Sequence, residues 1–135
     1  MLAIVARDWR GNVVFAHSNK AHTNICVQAK AKALRRAIRV TFHFNLQNLI
    51  IEGNSKVCIE AISKDGTKIP KKIATIINDI RKIASCISYI NYSWVYRESN
   101  VTAHELASQS LKHSYFGSFD SYFHPQVLLM LSLEA

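Results

Sequence analysis

Residues 69–96 read IPKKIATIINDIRKIASCISYINYSWVY, and their hydrophobic period changes partway along. Ile69, Ile73, Ile76, Ile77, Ile80, Ile83, Ala84 and Ile87 recur at the spacing of one helical face. From Ile90 the period drops to two, with Ile90, Tyr92, Trp94 and Tyr96 alternating with Asn91, Ser93, Val95 and Arg97. That is a strand with one buried face, and the period places Tyr92, Trp94 and Tyr96 in the core. A helix handing over to a half-buried strand points to an α/β layout. Pro70 stands at the expected first turn of the helix, where its missing N–H costs nothing.

The same reading extends in both directions. Apolar runs at 2–6 and 13–16 flank Asp8-Trp9-Arg10-Gly11-Asn12, which has turn chemistry, so a hairpin is expected. Residues 27–44 form the strongest helix, with Val27, Ala31, Leu34, Ile38, Thr41 and Phe42 as its apolar stripe and Asn45 as its stop. Lys32, Arg35, Arg36 and Arg39 share another face of that helix as a basic stripe. Leu49, Ile50 and Ile51 make a short strand, and Ser55 caps a helix running to about Ile62. Asn100 caps a last helix to about His113, after which the chain is aromatic-rich without a single period. The expected organisation is one domain over 1–113 and a C-terminal extension over 114–135.

Composition narrows the function. The 135 residues carry 17 Lys+Arg against 9 Asp+Glu, a formal charge of +8. A hydrophobic fraction of 49% with 19% charged residues excludes a disordered chain. There is no apolar run of about 18 residues, so no spanning helix is expected, and residues 1–8 do not resemble a secretory signal. Cys26, Cys58 and Cys86 lack metal-ligand spacing and read as reduced, packed thiols of a cytoplasmic or nuclear protein. None of the six histidines has zinc-site spacing, so no metal site is expected. The charge favours nucleic acid as partner. Lys32, Arg35, Arg36 and Arg39, with Lys64, Lys68, Lys71 and Lys72, are the candidate phosphate contacts.

Three segments together resemble the ribonuclease H superfamily, most closely the domain found in plant retroelement-derived reverse-transcriptase proteins. Residues 28–38, QAKAKALRRAI, are similar to the family's Ala-Glu-Ala-x-Ala-Leu helix. Residues 49–57, LIIEGNSKV, are similar to its strand ending in Glu-Gly-Asp-Ser. Residues 94–107, WVYRESNVTAHELA, are similar to its Val-x-Arg-Glu-x-Asn-x-x-Ala-Asp/His-x-Leu-Ala signature. The resemblance spans about residues 3–113. It implies a mixed sheet flanked by helices and, in active members, cleavage of the RNA strand of an RNA–DNA hybrid by two Mg²⁺ ions held on four carboxylates.

This chain departs from that pattern at each acid. Lys30 aligns with the helix Glu, Asn54 with the strand-end Asp and His104 with the last-helix Asp, and the resemblance begins after the strand that carries the first. Glu52, Glu60 and Glu105 are nearby acids that read as solvated or paired charge. The resemblance therefore implies a degenerate, non-cleaving nucleic-acid-binding domain with no cofactor, although the family uses Mg²⁺. The alternatives are an active ribonuclease completed by a further N-terminal strand, and a non-catalytic interaction module or retroelement remnant. The sheet is expected to lack its first, central strand. Three arrangements can close that gap: direct pairing of the hairpin with residues 49–51, insertion of residues 127–133 or a strand from a protein partner or second copy, or incomplete folding.

Overall fold

Aliphatic and β-branched residues build the first two strands, β1 (Leu2–Asp8) and β2 (Val13–Asn19), which pair antiparallel with Leu2 opposite Asn19. The computed structural model describes residues 2–8, 13–19, 25–64, 66, 68–96 and 127–133. Helix α1 (Cys26–His43) buries Ala31, Ala33, Leu34, Ala37, Ile38 and Thr41. Its alanines allow close approach to the sheet. Asn45 stops it in the left-handed region at φ 55°. The Asn45 N–H donates to the Phe42 carbonyl and the Leu46 N–H to the Thr41 carbonyl, the paired bonds of a Schellman motif. This turn corrects the expected stripe. Phe42 is exposed, and Leu46 closes that end of the core instead.

Strand β3 (Asn48–Gly53) follows, with Leu49 and Ile51 buried on the helix side and Ile50 exposed on the other. Ser55 caps α2 (Lys56–Ser63). Helix α3 (Ala74–Ala84) begins four residues after Pro70, because the N–H of Ile73 bonds back to Pro70 and that of Ala74 to Lys71, making a turn first. Ile73, Ile76, Ile77, Ile80 and Ile87 are buried as their spacing predicts.

Strand β4 (Tyr89–Trp94) runs parallel to β3, with Asn48 opposite Tyr89. Ile90 and Tyr92 pack against the core. Trp94 and Tyr96 do not, contrary to expectation: they are 37% and 66% exposed. Their pleat is right for the core, but Trp94 stands opposite Gly53, the last residue of β3, at the end of the sheet.

The five strands are ordered β2-β1-β5-β3-β4, with β5 (Val127–Leu133) in the middle. It runs antiparallel to β1, Leu2 opposite Leu133, and parallel to β3, Leu49 opposite Val127. Residues 127–133 thus fill the central position, and the hairpin does not pair directly with β3. The segment VLLMLSL carries no charge, as a strand bonded on both sides requires. Among the described residues, no helix is long and apolar enough to cross a membrane.

Candidate functional site

The carboxyl ends of β3 and β4 point the same way, and in open α/β sheets ligands bind outside such ends. A small cleft opens there, lined by Lys30 and Leu34 of α1, Gly53, Asn54 and Ser55 at the end of β3, and Cys58 and Ile59 of α2. Local sequence explains the geometry. The strand ends at Gly53, the chain bends at Asn54, and the Ser55 Oγ accepts the Cys58 N–H at 3.4 Å to start the helix. The i, i+4 spacing of Lys30 and Leu34 puts both on the face of α1 that meets this bend.

The lining combines the polar Lys30, Asn54 and Ser55 with the apolar Leu34 and Ile59. The Asn54 Oδ1 is buried and has no hydrogen-bond partner among the described residues. Burial pushes the Cys58 thiol above its ordinary value, Ser55 and the Lys30 ammonium pull it part of the way back, and Cys26 adds a smaller upward push. Its Sγ donates to the Val27 carbonyl at 3.7 Å. Cys58 is therefore a neutral packed thiol rather than a nucleophile. Cys26 and Cys86 are exposed, so only Cys58 packs as the sequence reading had all three.

Lys30 and Asn54, 24 positions apart, thus share one cleft. His104, the third aligned position, and Glu105 lie outside the described residues, as does the helix expected over 100–113. The fit of Mg²⁺ can be judged from the donors present. Hard cations take carboxylate oxygens, and the lining offers an ammonium, an amide, a hydroxyl and a thiol. Glu52 does not line the cleft and stands opposite Ser93. Glu60 pairs with Lys64 at 3.2 Å. Among the described residues, no three His, Cys, Asp or Glu side chains gather to hold a metal. These residues do not fit magnesium.

The basic stripe on α1 is partly engaged within the fold. Arg35 reaches across to Asp79 of α3 at 3.0 Å, with side chains 23% and 36% exposed. Lys32 is half-buried, whereas Arg36 and Arg39 are exposed. Lys68, Lys71 and Lys72 are exposed on the approach to α3. Gln28 donates to the Lys72 carbonyl at 3.0 Å, which ties that approach to the start of α1.

A further group was not legible as a surface in the sequence. The rings of Trp94 and Tyr96 lie 4.6 Å apart at a 59° tilt, and Lys56 Nζ stands 5.7 Å from the Trp94 ring centre. The alternation that marked these aromatics was visible, but not the point at which β3 stops beside them.

Comparison with known proteins agrees with the fold. Residues 1–110 match the family profile described as reverse transcriptase-like. The chain is similar to the N-terminal ribonuclease H domain of a Mycobacterium tuberculosis protein, solved as a fusion with maltose-binding protein, at TM-score 0.67 and 15% identity, covering 82% of this chain and 91% of that one. It is similar also to the RNase H1 of the halophilic archaeon Halobacterium salinarum, at TM-score 0.68 and 18% identity, covering 82% and 86%. No curated protein matches it by sequence.

Proposed function

Since this chain belongs to the reverse transcriptase-like family and has the ribonuclease H fold, we propose that it is a nucleic-acid-binding domain of the RNA–DNA hybrid class that holds its ligand without cleaving it. The observation that carries this reading is the cleft at the end of β3, which gathers Lys30 and Asn54, the residues that the motif likeness sets against two of the family's carboxylates. An ammonium there repels a divalent cation and attracts a phosphate, so the electrostatic sense of the site is inverted. The formal charge of +8 and the exposed Arg36, Arg39, Lys68, Lys71 and Lys72 support a polyanionic partner. The motif likeness supports a retroelement origin.

An RNA–DNA hybrid incubated with the purified chain and Mg²⁺ tests both halves. Binding is expected to weaken steeply as salt rises, and Lys30→Ala is expected to lower the slope of log affinity against log salt by about one. No cleavage is expected. Cleavage above that of a mock preparation overturns the non-cleaving reading, and affinity indifferent to salt overturns the phosphate-binding one.

A further inference from the structure

The aromatic pair at the end of β4 is unusual for its place. Trp94 and Tyr96 follow the core-facing pleat of Ile90 and Tyr92 yet remain exposed, and both are large surfaces to leave in water. They form a tilted pair rather than two scattered side chains. Lys56, itself exposed, holds its ammonium over the Trp94 ring, 5.7 Å from the ring centre. The first turn of α2 contains no acidic residue. Glu52, the carboxylate of the neighbouring strand, stands opposite Ser93, whereas Gly53 stands opposite Trp94, so successive pleats put Glu52 and Trp94 on opposite faces. A tilted π pair carrying a cation on one side, with the Glu52 carboxylate turned away, matches the chemistry of a nucleobase and its phosphate.

We propose that Trp94, Tyr96 and Lys56 form a stacking platform for an unpaired base, so that the domain prefers a duplex carrying a single-stranded overhang to a blunt one. This rests on the nucleic-acid reading above and deepens it. The platform and the Lys30 cleft flank the same helix start, because Ser55 lines one and Lys56 borders the other. A strand leaving a duplex held over the cleft therefore meets the platform within its first unpaired nucleotides. Stacking needs a π face and no particular hydrogen-bond pattern, so the preference is for an overhang of any sequence.

Fluorescence anisotropy with a labelled blunt RNA–DNA hybrid, and with the same hybrid bearing a four-nucleotide DNA overhang, separates the possibilities. The wild-type chain is expected to bind the overhang form about tenfold more tightly, the scale of one stacked base. Trp94→Ala should abolish that preference and leave blunt affinity unchanged, while Trp94→Phe should keep most of it. Equal affinity of the wild type for the two hybrids, or a preference that survives Trp94→Ala, overturns the platform and leaves the nucleic-acid reading standing. Failure to bind either hybrid overturns both. A dimer on size-exclusion chromatography that Trp94→Ala dissolves makes the patch an interface between copies, and also overturns the proposal.

Discussion

Replacing Tyr92 with Phe should stabilise the domain at neutral pH and flatten its loss of stability in alkali. The Tyr92 ring packs against the core, and its hydroxyl is buried with no hydrogen-bond partner among the described residues. A hydroxyl withdrawn from water without a replacement bond costs about 1 kcal/mol or more, so Tyr92→Phe should gain about 1 kcal/mol at pH 7. Burial also pushes the phenol from 10.0 up to about 12. The unfolded chain releases this proton near pH 10 and the folded chain only near pH 12. The stability of the wild type relative to Tyr92→Phe is therefore constant below pH 10 and falls progressively between those values. Two units correspond to about 2.7 kcal/mol at most. Part of the ring stays in water, which reduces the expected difference to about 1–2 kcal/mol. Urea unfolding of wild type and variant at pH 8 and pH 11.5 measures it, because the two chains differ in no other titratable group. A Tyr92→Phe chain less stable at pH 7, with an alkaline decline equal to that of wild type, would refute the reasoning and show the hydroxyl to be bonded.

Two further substitutions probe the fold. Asn45→Ala should cost about 1–2 kcal/mol in chemical unfolding, because it forces an alanine into the left-handed region and removes the acceptor of the 2.9 Å bond from Gln47, whereas Asn45→Gly should cost little. Leu129→Pro should destabilise by about 3 kcal/mol or more, enough to abolish a cooperative melting transition in a marginal domain, because residue 129 stands between Ala6 and Ile51 in a strand paired on both sides. An unchanged melting temperature would show that β5 is not central.

Much of the fold was open to reading from local pattern. The isoleucines of α3 announce a helix because their spacing is a property of the segment itself, and Ser55 and Asn45 mark boundaries because caps act within a few residues. The candidate site was legible as far as residue identity carries. Lys30 and Asn54 drew notice by residue type and motif position, and only the fold brings them into one cleft.

Other features depended on what lies next to what. Arg35 looks like its neighbours on the basic stripe, and only the packing of α1 on α3 gives it Asp79. Trp94 and Tyr96 carry the same period as Tyr92, and only the end of β3 separates surface from core. The central strand is the fullest case. Six apolar residues and one serine near the C-terminus suit any buried strand, and nothing in their order names a partner. Their place between β1 and β3 is a long-range pairing, settled by two strand edges that would otherwise leave their backbone groups unpaired. By itself, then, the sequence determined most of the described elements, their caps and the residue types that the cleft gathers, all of them local in chain or chemistry. The tertiary structure decided which strand completes the sheet and which aromatics face water, because those follow from contacts between residues far apart along the chain.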